Sequence, residues 1–123
     1  MMDNATNPDW TIPPPVIVFQ LHTLNREHAI LHTLGGNEIK IWFHTRGAGQ
    51  SNREQPSLSL AHLTTVALLA RTAMKHLADT ADNEEYRQKM RGSAFRVFRG
   101  DQELGPAQGL IALMGPEYYQ TSS

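Results

Sequence analysis

Six histidines and no cysteine bound the chemistry open to this chain. Thiol catalysis, thiolate metal sites and disulfides are excluded, which leaves imidazole as the most versatile group. Four of the histidines lie in a stretch where apolar side chains alternate along Val16-Thr23, His28-Leu34 and Glu38-Thr45. Successive side chains of an extended chain point to opposite sides. The odd positions Ile17, Phe19, Leu21, Ala29, Leu31, Ile39, Ile41 and Phe43 therefore share one apolar face. The even face carries Gln20, His22, His28, His32, Lys40, Trp42 and His44. Two imidazoles on neighbouring strands are close enough to share a metal ion, and symmetric three-residue hairpin loops would set His28 opposite His44. A zinc site needs a third or fourth protein ligand. No close-spaced motif such as His-Glu-x-x-His supplies one, so neither a metal nor a cofactor is assigned. As an interaction surface the face comprises His22, His28, His32, Lys40, Trp42 and His44.

A second chemistry is phosphate contact. Arg87, Lys89, Arg91, Arg96 and Arg99 follow one another with no intervening acid, and together with an exposed Trp42 they could bind nucleic acid. The acidic group Asp82, Glu84 and Glu85 immediately precedes this run. A third chemistry is acid–base catalysis by His62 or His76 with Asp79 as an orienting carboxylate. No nucleophile-elbow serine or glycine-rich phosphate loop accompanies them, so no catalytic residue is assigned. Arg99-Gly100-Asp101 reads as a turn. Ile39-Lys40-Ile41-Trp42-Phe43 resembles the opening of a homeodomain recognition helix. Thr45 and Gly47 stand where the base-reading asparagine and a following arginine would fall, and Gly35-Gly36 opposes a helix entry, so that family is rejected.

Charge is balanced across the 123 residues, with 11 basic against 12 acidic side chains. No global field announces a polyanionic partner. The longest apolar runs, near Val16-Phe19 and Val66-Ala70, fall far short of the ~20 residues of a membrane-spanning helix. The N-terminus lacks a basic region followed by an apolar run. A cytoplasmic, soluble protein is the expectation.

These residues need a scaffold. Residues 1–15 read as a flexible N-terminal segment ending in the spacer Pro13-Pro14-Pro15, residues 16–115 as one domain, and 116–123 as a tail. Turns are expected at Asn25-Arg26-Glu27 and Gly35-Gly36-Asn37. Ser57 is placed as the N-cap of a long helix from Leu58 to Asp79, with Leu60, Leu63, Val66, Ala67, Ala70, Ala73, Met74 and Leu77 on its inner face. Leu58, Leu68 and Leu69 fall outside that stripe. A shorter helix over Asn83 to Arg91, a strand over Ala94 to Arg99 and a short apolar element at Leu110 to Met114 complete the chain. The expected class is α+β: a three-stranded antiparallel meander packed on a long helix, then a short helix and a fourth strand. The expected role is that of a small non-enzymatic interaction or regulatory protein. Its partner would be another protein or a second copy, a homodimer formed through the sheet edge or the His/Trp face, and nucleic acid is the alternative partner.

Overall fold

The computed structural model describes residues 14–44 and 56–115. The N-terminal segment before residue 14, with Pro13 of its proline spacer, and the tail after 115 lie outside the described residues. In chain order the elements are β1 (Val16–Leu24), β2 (His28–Thr33), β3 (Glu38–His44), β4 (Ser57–Ser59), α1 (Val66–Asp79), α2 (Glu84–Gly92), β5 (Ala94–Arg99), β6 (Gln102–Leu104) and α3 (Leu110–Met114). They form one six-stranded sheet of order β4-β3-β2-β1-β5-β6. The β1-β2, β2-β3 and β5-β6 pairs are antiparallel, whereas β1-β5 and β3-β4 are parallel.

This overturns the expected three-stranded meander on a long helix. The meander exists, but both of its edges are occupied, and the sheet is mixed. The helix is 14 residues long and begins at Val66. Ser57-Leu58-Ser59-Leu60 alternates with the period of a strand, and its backbone completes the ladder of β3. The Trp42 N–H donates to the Pro56 carbonyl (3.0 Å) and the Leu60 N–H to the His44 carbonyl (2.7 Å). Leu60 is buried and Leu58 packs against the core, so Leu60, expected on the helix stripe, and Leu58, expected off it, both reach the interior from an extended segment instead. The expected Ser57 cap is replaced by Thr65, whose hydroxyl accepts from the Leu68 N–H.

Thr64 makes the turn between strand and helix. It is the one buried polar residue among those described. Its hydroxyl accepts from the Ala61 N–H (2.9 Å) and donates to the Ser59 carbonyl (2.8 Å). Thr64→Val keeps the shape and removes both bonds. It should lower stability by about 1–3 kcal/mol in urea denaturation, whereas Thr64→Ser should retain most of it. Equal losses for the two variants would show that the hydroxyl is not what holds the turn.

The core lies between the sheet and the helices. Phe19, Leu31, Ile39, Ile41 and Val97 from the strands meet Val66, Leu69 and Leu110 from the helices, all of them almost fully excluded from water. Leu69 thus belongs to the inner stripe of α1 that the sequence reading placed beside it, while Leu63 lies outside the helix and is exposed. The first N–H groups of a helix have no partner within it. Here the Val66 N–H donates to the Gln108 carbonyl (2.9 Å) and the Ala67 N–H to the Pro106 carbonyl (3.0 Å). The loop at residues 106–108 therefore anchors the start of α1. Asn83, expected as the first residue of the second helix, is its N-cap and accepts from the Tyr86 N–H (2.7 Å).

A candidate interaction face on the open side of the sheet

The odd residues of the meander are indeed the inner set, so the even ones look away from the helices. One irregularity modifies the rule. Leu21 pairs with Leu31 but Thr23 pairs with Ile30, which makes His22 the extra residue of a β-bulge. Beyond it the parity reverses, and the even residue Leu24 is buried. The bulge sets the exposed His22 ring against His32, with centroids 5.2 Å apart.

The second hairpin differs in register from the symmetric arrangement. The turn runs from Thr33 to Gly36, closed by the Gly36 N–H on the Thr33 carbonyl (3.0 Å), and Gly36 has φ 94°. A side chain there would be strained. Pairing is consequently displaced by two residues, so that His32 faces Glu38, Ile30 faces Lys40 and His28 faces Trp42. A two-residue shift preserves which face each side chain occupies. It does separate His28 from His44, which lies opposite Ser59 of β4. Among the described residues no three His, Asp or Glu side chains converge as a metal-binding group.

Across the sheet one row runs Glu38, His32, Gln20, Phe98, Glu103. His32 Nε2 lies 3.5 Å from the Glu38 carboxylate. At the β3 end Trp42 is 39 % exposed, with Lys40 Nζ 4.3 Å from its ring centroid and the His28 ring edge-on at 5.3 Å. His28 is half-buried, and its Nδ1 has no hydrogen-bond partner among the described residues. At the β5 end Arg96 makes a two-pronged contact with Glu103 (2.9 and 2.7 Å) while lying over Phe98 at 5.1 Å. Hydrogen bonding to Arg96 holds the Glu103 carboxyl below its usual range, and Glu103 in turn raises Arg96. The contribution of this pair is present above the ordinary carboxylate range and is lost on acidification. Both partners are exposed, so the stabilisation is small.

All six residues expected on the interaction face, His22, His28, His32, Lys40, Trp42 and His44, thus lie on the meander strands, and Ile30 joins them. Val18, another even residue of β1, lies there too, paired with Arg96, whereas Arg96, Phe98 and Glu103 were missed. Alternation of Arg96 and Phe98 with Val97 was the available signal for a face. Nothing local indicated that β5 would lie parallel to β1 and add them to this one.

The five residues of the basic run are not brought together. Arg87, Lys89 and Arg91 are on α2, whereas Arg96 and Arg99 are on β5. The Arg87 guanidinium donates to the carbonyls of Ala78 and Ala81 and pairs with Glu84, and Arg99 donates to the Leu113 carbonyl. His62 falls in the turn before α1, and Asp79 pairs with Lys75 at 3.0 Å. The Arg99-Gly100-Asp101 triplet is the tip of the β5-β6 hairpin, with Gly100 at φ 63°. The five residues that resemble a homeodomain helix lie in β3.

No helix among the described residues is long and apolar enough to cross a membrane. Compared with known proteins, the chain matches no family model, no curated protein and no solved structure.

Proposed function

We propose that this protein is a small non-enzymatic interaction module that self-associates through the open face of its sheet. The observation that carries the reading is the one-sided coverage of the sheet. The buried residues of all three helices belong to a single core on the side of the odd residues. No described element covers the other side, where Ile30, Trp42 and Phe98 stand among polar groups of both signs. Such a surface suits an isologous contact, in which Lys40 of one copy can meet Glu38 or Glu103 of the next. The face is favoured over the edge as the contact. The outer strands β4 and β6 are three residues each, and short edge strands offer little ladder for pairing. Strand spacing and rise give the face an area of roughly 500–600 Å² per copy. A standard interface has about 800 Å² per partner, so the dimer should be weak and concentration-dependent. We place the protein in the cytoplasm, in keeping with a chain free of cysteine.

Sedimentation velocity over a concentration series tests this. The native chain should pass from monomer to dimer, and Trp42→Ala or Ile30→Lys should weaken the dimer at least about tenfold while leaving the thermal unfolding transition nearly in place. A native chain that stays monomeric at near-millimolar concentration would sink the reading, as would a dimer indifferent to both substitutions. The nucleic-acid alternative has less support, because Arg96 is paired and the rest of the run is divided between two elements. Saturable, salt-sensitive binding of a labelled single-stranded oligonucleotide, abolished by Arg96→Glu with Arg99→Glu, would put that alternative first.

A further inference from the structure

A separate feature lies on the helical side. Between α1 and α2 a groove of about 230 Å³ is lined by Arg71, Met74, Lys75, Ala78, Asp79, Met90 and Arg91. Its floor is Met74, Ala78 and Met90, all buried. Its rim holds three cations and one carboxylate. Asp79 is engaged by Lys75 at 3.0 Å, which leaves Arg71 and Arg91 in excess. Both are exposed, and neither is salt-bridged to a carboxylate among the described residues. Arg71 instead lies over the Phe95 ring at 5.6 Å. Leu68, 45 % exposed, sits one turn before Arg71 and two before Lys75 on the same side of α1.

We infer that this groove binds an acidic peptide segment of another protein, one that places a single large apolar anchor over the methionines and carboxylates against Arg71 and Arg91. Charge complementarity selects the partner. The chain as a whole carries a net charge of −1, so a rim with a cationic excess is a local departure from a balanced surface and not part of a general basic field. The floor selects the anchor, because unbranched thioether side chains adapt their shape to an inserted aliphatic or aromatic group. Two arginines flanking such a floor can each take a carboxylate in a forked contact. A nucleic-acid strand would have no use for an apolar floor narrowed by Asp79.

The probe is a fluorescein-labelled peptide with a central Leu-Phe pair flanked on both sides by glutamates, followed by anisotropy against the full chain. Saturable binding that weakens as salt rises is expected. The combined reversal Arg71→Glu with Arg91→Glu should reduce affinity at least about tenfold, and the milder Arg71→Gln and Arg91→Gln should each give a smaller loss in chains whose melting is unchanged. Trp42→Ala should bind the peptide as the native chain does, which separates this groove from the sheet face. The inference is overturned by no saturation at near-millimolar protein, by equal binding of a lysine-flanked peptide, or by indifference to all four arginine changes. Displacement of the peptide by a single-stranded oligonucleotide at lower concentration would overturn it in favour of a phosphate ligand.

Discussion

Phe19→Ala should remove about 3–5 kcal/mol of stability, read as a lower urea midpoint at unchanged slope. Phe19 has no solvent exposure and sits mid-strand in β1, which is hydrogen-bonded to β2 on one side and β5 on the other. Neither neighbour can shift inward to fill the space without breaking its own ladder, so the cavity term should be near its maximum. Domains of this size are stable by about 5–15 kcal/mol, and the variant should therefore be partly unfolded at ordinary temperature. Trp42→Ala removes a larger side chain from the opposite face, yet in the monomer it should cost less, because Trp42 remains 39 % in water. Reversal of that order would mean that the two faces of the sheet had been misidentified.

The second large effect is expected at the far end of the chain. Leu110→Ala should cost about 2–5 kcal/mol, although it lies in a helix of five residues near the end of the described chain. Leu110 is fully buried, and its N–H donates to the Thr64 carbonyl (2.9 Å). The loop before it receives the Val66 and Ala67 N–H groups of α1. Loss of the side chain should therefore loosen the start of α1 as well as its own helix. Hydrogen exchange should show faster exchange at Val66 and Ala67 in the variant. A loss below about 1 kcal/mol would mark the segment as an appendage to the fold.

Those two residues illustrate what could be read from the chain. Phe19 sits in a long run of period-two alternation, and such runs place a residue on a face irrespective of how the strands are later registered. The three meander strands and the strand at Ala94–Arg99 were legible for this reason, and the second helix from the capping pattern of Asp82 and Glu85, which sets its start one residue ahead of the actual cap, Asn83. Leu110 offered no such pattern. Strands of three residues, like β4 and β6, are too short to show a period. Ser57-Leu58-Ser59-Leu60 showed one, but adjoined a helical stretch whose spacing Leu60 also satisfies. Parallel pairing was invisible for a different reason, since three strands and two helices separate β1 from β5 along the chain and no residue near either records the other. The open face was consequently half legible: its histidines, Lys40 and Trp42 came from the meander, whereas Arg96, Phe98 and Glu103 came from a pairing with no local signature. The groove between α1 and α2 was illegible altogether, because it depends on where two helices come to rest.

The parallel seam between β1 and β5 also orders events in time. The hairpins of the meander are local and can close within microseconds, whereas β5 pairs with β1 across three intervening strands and two helices, and such distant closure is slow. Until then the Val16–Gln20 edge, the sequence Val-Ile-Val-Phe-Gln, is a bare, apolar, uncharged template of the kind that recruits other chains into aggregates. A nascent or truncated chain lacking residues 94–99 carries that hazard permanently. A strand made late in synthesis is thus what closes the vulnerable edge of the first.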